Sequence, residues 1–205
     1  MFSLRLKAKS CKLKAFNMAR EFLTNLSDRR ILLGVSGGIS AFKAVSLTSM
    51  LTQSKAQVEV IQTQSALKLV GPASFQAFTG RQVKTKIFVS PEDVRSNHIQ
   101  LAQWAELFVI APATANTLAA LACGLGHNLL TCTALVVQCP ILLAPAMNSA
   151  MWANRIVQDN VRRLREFGFH FIGPADGVLA CGTTGPGRME EPEEIYRKIV
   201  DLLKR

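Results

Sequence analysis

Apolar runs that alternate with amphipathic segments constrain the fold of this chain more than any other feature. The apolar runs predict buried strands over Arg30–Ser36, Gln57–Thr63, Leu107–Pro112, Cys139–Pro145 and Phe169–Ile172. Small or polar turns follow these runs and lead into segments with the helical spacing of apolar residues. Strands that alternate with helices are typical of a parallel sheet covered by helices on both faces. The sequence therefore predicts an α/β fold built on a doubly wound parallel sheet, in three layers.

Other segments carry weaker patterns. Gln82–Phe88 is strand-like, and Phe75 and Phe78 are predicted apolar anchors of the helical piece before it. Ser149–Phe167 has the pattern of one long helix. Pro174–Met189 is rich in glycine and has no periodicity, which predicts an irregular and flexible flap. A closing amphipathic helix is predicted over Glu191–Lys204.

The first two strand-to-helix turns have the chemistry of a phosphate site. Gly37–Ser40 leads from a strand into a helix, where backbone N–H groups and the helix dipole can hold an anion. The dinucleotide fingerprint is absent, because Ser36 and Ile39 stand where it requires glycine. Thr63–Ser65 ends the next strand, at a position where a ribose site would prefer an acidic residue. This pattern favours a flavodoxin-like or Rossmann-like fold that binds a mononucleotide such as FMN, with a ligand-free glycine turn as the alternative.

A further turn follows the strand that ends at Pro145. Asn148 in this turn can donate to a carboxylate and accept from an N–H group. Met151 and Trp152 would add a thioether and a flat apolar face. Open α/β folds bind their ligands at the carboxyl ends of the strands. The alternative is that Asn148 caps the following helix and that Met151 and Trp152 are core residues.

Length and charge bound the class of protein. At 205 residues the chain allows one domain with a substantial core. Half of the net charge of +10 lies in the first 17 residues, and the other basic residues are scattered without aromatic neighbours. This distribution argues against nucleic-acid binding. No apolar run reaches the roughly 18 residues of a membrane span, which argues against a membrane protein.

These observations divide the chain at Arg30. Residues 1–29 are predicted to be a basic N-terminal extension, and residues 30–205 the domain. The extension has three interpretations: a disordered arm, an organelle-targeting peptide, or a start assigned upstream of a true start at Met18. The predicted location is the cytoplasm, unless the extension directs the chain to an organelle.

The cysteines do not form a recognisable framework. The chain has 5 cysteines and no CxxC pair, which favours reduced thiols over disulfides or zinc. Cys123, His127, Cys132 and Cys139 have apolar settings and uneven spacing. We therefore predict core and helix positions for them, and no metal site.

Three sequence blocks resemble one family. Pro145–Trp152, PAMNSAMW, is similar to the PxMNxxMW signature of the flavin-dependent cysteine decarboxylases, above all the 4'-phosphopantothenoylcysteine decarboxylases of coenzyme A synthesis. Ala180–Met189 resembles the substrate-clamp segment of that family, and Asn97–Trp104 resembles its catalytic-histidine segment. The blocks occur in the family's order, and the similarity extends from about Arg30 to the C-terminus.

The resemblance implies roles for the matching residues. His98 would remove a proton from the substrate thiol or polarise it, Asn148 would bind the substrate carboxylate and adjacent amide, and Cys181 would protonate carbon. The implied cofactor is FMN, bound by Gly37, Gly38, Ile39, Ser40, Thr63, Ser65, Thr114, Ala115, Asn116, Thr117 and Ala146. The implied substrate-binding residues are Asn148, Met151, Gly185, Gly187, Arg188 and Met189. Lys43 and Arg188 are further candidates for the substrate phosphate.

The implied activity is decarboxylation of 4'-phosphopantothenoylcysteine to 4'-phosphopantetheine, a carbon–carbon lyase reaction. The family forms trimers with flavin at subunit boundaries, sometimes assembled into dodecamers, so a homo-oligomer is expected. The bifunctional bacterial form continues into a CTP-dependent ligase domain, whereas this sequence ends at Arg205. A separate phosphopantothenoylcysteine synthase is therefore expected, unless the chain is truncated.

Alternatives within the same superfamily stay open. They are a peptidyl-cysteine decarboxylase, a non-catalytic flavoprotein regulator and a flavin prenyltransferase. The cysteine at position 181 favours the pantothenate substrate, and His98 and Asn148 together with Cys181 argue against loss of catalysis. One departure from the family pattern is His127, at a position where relatives commonly carry an acidic residue.

Overall fold

A five-stranded parallel sheet forms the centre of the molecule. The computed structural model describes residues 24–88, 97–178, 182 and 184–204. The strand order is β2-β1-β3-β4-β5, and every neighbouring pair is parallel. This is the flavodoxin-like order, so the predicted doubly wound parallel sheet is confirmed. The strands are β1 (Arg30–Val35), β2 (Gln57–Gln62), β3 (Leu107–Ala113), β4 (Ile141–Pro145) and β5 (His170–Phe171).

Helices cover both faces of the sheet. The longer helices are α1 (Ala41–Gln53), α3 (Ala73–Thr79), α4 (Asn97–Trp104), α5 (Ala115–Ala122), α6 (Leu129–Val136), α8 (Arg155–Glu166) and α9 (Pro192–Leu203). Two short helices, α2 (Gln64–Leu67) and α7 (Ser149–Ala153), directly follow β2 and β4. None of the helices within the described ranges is long and apolar enough to cross a membrane.

The core consists of two clusters, one on each face of the sheet. On one face, Leu33 of β1 belongs to a cluster with Leu47 of α1 and Ile199 of α9. On the other face, Leu32 of β1 belongs to a cluster with Leu118 of α5 and further residues of α6 and α8. Because both faces are covered, the central strands need apolar residues at successive positions. This requirement explains the continuous apolar runs in the sequence, and β3 is buried at every position.

The predicted long helix over Ser149–Phe167 is wrong, because the helix is interrupted between α7 and α8. Asn154 stands at the break with extended backbone, φ −64° and ψ 131°. Its Oδ1 accepts a hydrogen bond from the backbone N–H of Ile156 at 2.9 Å. Asparagine competes for backbone hydrogen bonds and favours cap positions over helix interiors. The interruption separates the short helix α7, which follows the Asn148 turn, from α8.

Within the strand-like segment Gln82–Phe88, only Lys84 pairs with the sheet, through one parallel bridge to Ile61. Two backbone hydrogen bonds hold Lys84 beside the edge strand β2, one to Val60 O at 2.8 Å and one from Gln62 N at 3.0 Å. Of the two predicted anchors before it, Phe75 is fully buried whereas Phe78 is 45% exposed. The prediction for Phe78 is therefore wrong.

The flap over Pro174–Met189 contains regular structure, contrary to the prediction. Its described residues form an antiparallel hairpin of β6 (Ala175–Val178) and β7 (Thr184–Arg188). Gly177 and Gly185 face each other in this pair, both with φ of 155°. Glycine tolerates this backbone conformation, which residues with a side chain rarely adopt. We call β6 and β7 the flap hairpin; residues 179–181 and 183, including the predicted acid Cys181, lie outside the described residues.

The residues just before β1 contact the core. Leu26 is 5% exposed, and its N–H donates to Ser54 O at 2.7 Å. Thr24 O accepts a hydrogen bond from the Tyr196 hydroxyl at 2.9 Å. The boundary at Arg30 stays a prediction. Most of the predicted extension, with Met18, lies outside the described residues.

Candidate active site

A cavity of about 1100 Å³ lies at the carboxyl ends of the central strands. Because the chain continues from β1 to β2 on one side and from β3 to β4 on the other, the connections after β1 and β3 diverge and leave a crevice. All of the predicted cofactor-binding residues line this cavity: Gly37, Gly38, Ile39, Ser40, Thr63, Ser65, Thr114, Ala115, Asn116, Thr117 and Ala146. The fold thus brings together turns that are far apart in the sequence.

Ser36 joins the turns after β1 and β3. Its side chain is buried, and its Oγ donates to Pro112 O at 2.7 Å. The same Oγ accepts from the backbone N–H of Thr114 at 3.1 Å. A hydroxyl that donates and accepts in this way fixes the relative position of the two turns.

The turn after β1 also lies against the turn after β2. A side chain at Gly37 would place its Cβ 2.2 Å from Ser65 Cβ, and one at Gly38 would lie 3.3 Å from Pro112. Only glycine permits the first of these approaches. The result is one continuous floor of backbone groups and hydroxyls, a setting that suits a phosphate.

Asn148 both caps a helix and lines the cavity. Its Oδ1 accepts from the backbone N–H of Ala150 at 2.8 Å, as the capping alternative predicts. Met151, 48% exposed, lines the same cavity, whereas Trp152 packs against the core. The flap hairpin lies against this loop, since Met147 N donates to Gly187 O at 2.9 Å. A Cβ at Gly187 would lie 2.3 Å from Met147 O, so this contact also requires glycine.

Three charged side chains line the cavity beside the flap hairpin. Lys43 Nζ lies 2.9 Å from Glu191 Oε1 and also donates to Met189 O at 3.2 Å. Arg188 NH2 lies 3.4 Å from the same oxygen of Glu191. Lys43 and Arg188, the predicted phosphate candidates, therefore share one carboxylate.

Several predicted site residues lie away from the cavity lining. His98, on α4, is not among the lining residues, and its Nδ1 is buried with no hydrogen-bond partner in the described part of the chain. Met189 is fully buried in the core, and Gly185 packs against Ser149 of α7. Of the predicted substrate-binding residues, Asn148, Met151, Gly187 and Arg188 line the cavity.

The cavity also has lining residues that are not among the predicted site residues: Ser36, Phe42, Gln64, His127, Asn128, Met147, Val178 and Glu191. One signal was available for the loop before α6, where His127 departs from the family pattern. Asn128 Oδ1 accepts from Thr131 N, so its Nδ2, a donor, faces His127 Nε2 at 3.0 Å.

The described cysteines lie outside the cavity lining. Burial raises the pKa of the Cys139 thiol to about 11 and also raises the pKa of Cys132. Cys132 Sγ donates to Gly126 O at 2.9 Å. Within the described ranges, no group of three His, Cys, Asp or Glu side chains is arranged to hold a metal ion.

Comparisons with known proteins agree with the geometry. The Flavoprotein family model matches residues 19–204. The chain is 45% identical over 172 residues to the coenzyme A biosynthesis bifunctional protein CoaBC of Bacillus subtilis (strain 168), covering 84% of this chain and 42% of that protein. The chain thus spans less than half the length of this curated relative.

Two solved structures are similar over most of the chain. A cysteine-to-serine variant of a PPC decarboxylase, complexed with pantothenoylaminoethenethiol, has a TM-score of 0.78 at 33% identity, covering 87% of this chain and 100% of that chain. The FMN-dependent cysteine decarboxylase SpaF has a TM-score of 0.75 at 33% identity, covering 87% of this chain and 99% of that chain. The chain therefore belongs to the flavoprotein family, among the flavin-dependent cysteine decarboxylases.

Proposed function

We propose that this chain is an FMN-dependent carboxy-lyase that converts 4'-phosphopantothenoylcysteine to 4'-phosphopantetheine in coenzyme A biosynthesis. The observation that carries the proposal is the cavity shared by the glycine turn, the hydroxyl-bearing turns and Asn148. The names of the similar proteins, CoaBC and PPC decarboxylase, support this substrate over the alternatives.

The cavity has the chemistry and the size for FMN. Its volume of about 1100 Å³ accommodates a mononucleotide together with a small substrate. The Gly37–Ser40 turn and the Ser65 hydroxyl would hold the phosphate, and the turn over Thr114–Thr117 would hold the remainder of the cofactor. When bound, FMN supplies reversible two-electron chemistry that no side chain of the protein provides.

The substrate explains why such chemistry is required. Loss of CO2 from an acylated cysteine leaves a carbanion beside an amide nitrogen, with no electron sink. Pyridoxal phosphate cannot provide one, because the substrate's amine is blocked as an amide. Oxidation of the CH2–SH group to a thioaldehyde places C=S beta to the carboxylate, so CO2 leaves as an enethiolate forms. Return of the electron pair as a hydride to one carbon, together with protonation of the neighbouring carbon, gives the saturated thiol, and the net redox change is zero.

The protein's own part is to orient the substrate and to move protons. The N–H donors of the Asn148 carboxamide would bind the substrate carboxylate, and the cap to Ala150 N fixes the plane of that amide. Cys181 would protonate carbon in the second half-reaction, because a thiol is largely protonated at neutral pH. His98 would remove the thiol proton in the first half-reaction.

The position of His98 favours an oligomeric active site. Because His98 does not line the cavity of its own chain, a second copy would supply the imidazole. Exposed apolar residues at the cavity offer a surface for that contact: Ile39 is 65%, Phe42 59% and Val178 69% exposed. Apolar groups clustered at a cavity mouth are typical of an interaction surface. We therefore propose a homo-oligomer, a trimer or a larger assembly of trimers, with sites at subunit boundaries.

Partners and location follow from the same proposal. The substrate would come from a phosphopantothenoylcysteine synthase, because cysteine must be joined to the pantothenate moiety before its carboxylate can be removed. The cytoplasm is the proposed location.

Two measurements test the proposed function. Acid release of the bound cofactor followed by chromatography should recover FMN, whereas FAD would refute the cofactor assignment. Incubation with 4'-phosphopantothenoylcysteine should release CO2 and give 4'-phosphopantetheine. A peptide with a C-terminal cysteine serves as the comparison substrate; preferential turnover of the peptide would favour a peptidyl-cysteine decarboxylase instead.

A further inference from the structure

The three charged residues beside the flap hairpin are two cations and one anion. Lys43 of α1, Arg188 at the end of β7 and Glu191 just before α9 line the same part of the cavity. One oxygen, Glu191 Oε1, lies 2.9 Å from Lys43 Nζ and 3.4 Å from Arg188 NH2. The two cationic side chains thus share one carboxylate.

Burial makes this imbalance significant. The Lys43 side chain is only 13% exposed, so water solvates its ammonium group poorly. Arg188 Nε is buried and has no hydrogen-bond partner among the described residues. A buried donor without an acceptor has lost its hydrogen bond to water and has gained none in return, which is unfavourable. Both cations are therefore poised to accept a further anion.

We propose that Lys43 and Arg188 form the subsite for the terminal phosphate of the substrate, and that Glu191 occupies this subsite until substrate binds. This inference rests on the proposed function. A phosphate monoester carries nearly two negative charges and three strong acceptor oxygens, and a guanidinium can bind two of them at once. The phosphate would therefore displace the Glu191 carboxylate, which is 42% exposed and can turn toward solvent.

The position of the subsite favours the substrate's phosphate over that of FMN. The Gly37–Ser40 turn already offers backbone N–H groups for the cofactor. Arg188, in contrast, follows Gly187, whose carbonyl accepts from Met147 beside Asn148. The guanidinium is thus carried by the strand that contacts the predicted substrate loop.

The test measures binding rather than turnover. Flavin-loaded protein is titrated with 4'-phosphopantothenate and with pantothenate in a calorimeter. Glu191→Gln should bind 4'-phosphopantothenate about three- to ten-fold more tightly than the wild type, because the competing anion is gone. Its affinity for pantothenate should not change. Lys43→Gln and Arg188→Gln should each weaken binding of the phosphorylated ligand about tenfold and leave pantothenate unaffected.

Glu193→Gln is the matched control. It removes the same charge from an exposed position in the first turn of α9 and should leave both affinities unchanged. Weaker binding of 4'-phosphopantothenate by Glu191→Gln would overturn the proposal, since Glu191 would then hold the two cations in place. Equal effects of Lys43→Gln on both ligands would also overturn it.

A further binding measurement distinguishes the phosphate of the substrate from the phosphate of FMN. If Lys43→Gln weakened FMN binding but not riboflavin binding, the subsite would belong to the cofactor, and the proposal would be wrong. Decarboxylation of 4'-phosphopantothenoylcysteine by the wild type is measured independently. An active protein with no preference for the phosphorylated ligand overturns only the subsite, whereas an inactive one overturns the proposed function.

Discussion

Single side chains in the cavity combine a structural bond with a predicted ligand role. Thr63 Oγ1 accepts from Ala66 N at 3.3 Å, Thr114 Oγ1 from Thr117 N at 3.4 Å, and Asn148 Oδ1 from Ala150 N at 2.8 Å. Each residue caps the helix that follows a parallel strand. Helix starts need such caps, and open α/β folds bind ligands at the same edge of the sheet. A capping residue and a ligand residue therefore look alike in the sequence, and these residues can serve as both.

The two half-reactions can be separated at His98 and Cys181. His98→Asn should retain FMN but release little CO2, because the step that fails precedes the thioaldehyde. Cys181→Ser should still oxidise the substrate and release CO2, since a hydroxyl with a much higher pKa is a poor acid toward carbon. The enethiol should then accumulate, lighter than the normal product by two hydrogens. Mass spectrometry of the products checks both expectations.

Flavin content measured by absorbance is the control for folding of both variants. Undiminished formation of the saturated thiol by Cys181→Ser would show that Cys181 is not the proton donor.

The strand-to-helix turn after β1 is the element whose geometry is most restrictive. Gly37→Ala should lower FMN affinity at least tenfold, because the new Cβ would lie 2.2 Å from Ser65 Cβ and separate the turns after β1 and β2. Overpacking of this kind costs about 1–3 kcal/mol. Gly71→Ala is the control, since nothing lies within 4 Å of its Cβ. Fluorescence titration of apoprotein with FMN measures both, and equal affinities of the two variants would contradict the predicted role of this turn.

Elements could be predicted from sequence where burial alone determines them. The strands β1, β3 and β4 are buried at nearly every position, so their apolar runs identify them within a few residues. The flap hairpin could not be predicted this way, since its exposed, glycine-containing strands carry no apolar alternation. The interruption at Asn154 cannot be predicted from spacing, because the polar and apolar pattern continues across it; the capping bond marks the start of the new helix.

The candidate site was predictable to a similar degree. Turns that follow buried strands could be located, and the fold then brings them into one cavity. The position of His98 depends on how α4 packs, and the pairing of Glu191 with Lys43 joins residues at opposite ends of the chain. Neither depends on local spacing, so the sequence pattern does not contain them.

At the scale of the whole chain, residues 1–17 and residues 18–29 are expected to contribute differently to stability. Protein that begins at Met18 should retain its flavin and melting temperature, because the described contacts to the core begin at Thr24. Protein that begins at Arg30 should lose the Leu26 contact, worth about 2 kcal/mol, and melt roughly 6 °C lower. Thermal unfolding of both, compared with the full chain, provides the measurement. Loss of folding on removal of residues 1–17 would place those residues in the domain or its assembly.

Assembly itself can be tested by mixing two inactive variants. If each site combines Asn148 of one chain with His98 of another, then His98→Asn and Asn148→Ala should complement each other. Random mixing in trimers at equal amounts should restore about a quarter of the sites, because one subunit supplies each intact residue. The two proteins are dissociated, mixed, reassembled with FMN and assayed for CO2 release, with each variant treated alone as the control. Absence of any recovered activity in mixed oligomers, verified by two different affinity tags, would place both residues of a site in one chain. The cavity of the single chain, lined by Asn148 but not by His98, favours recovery.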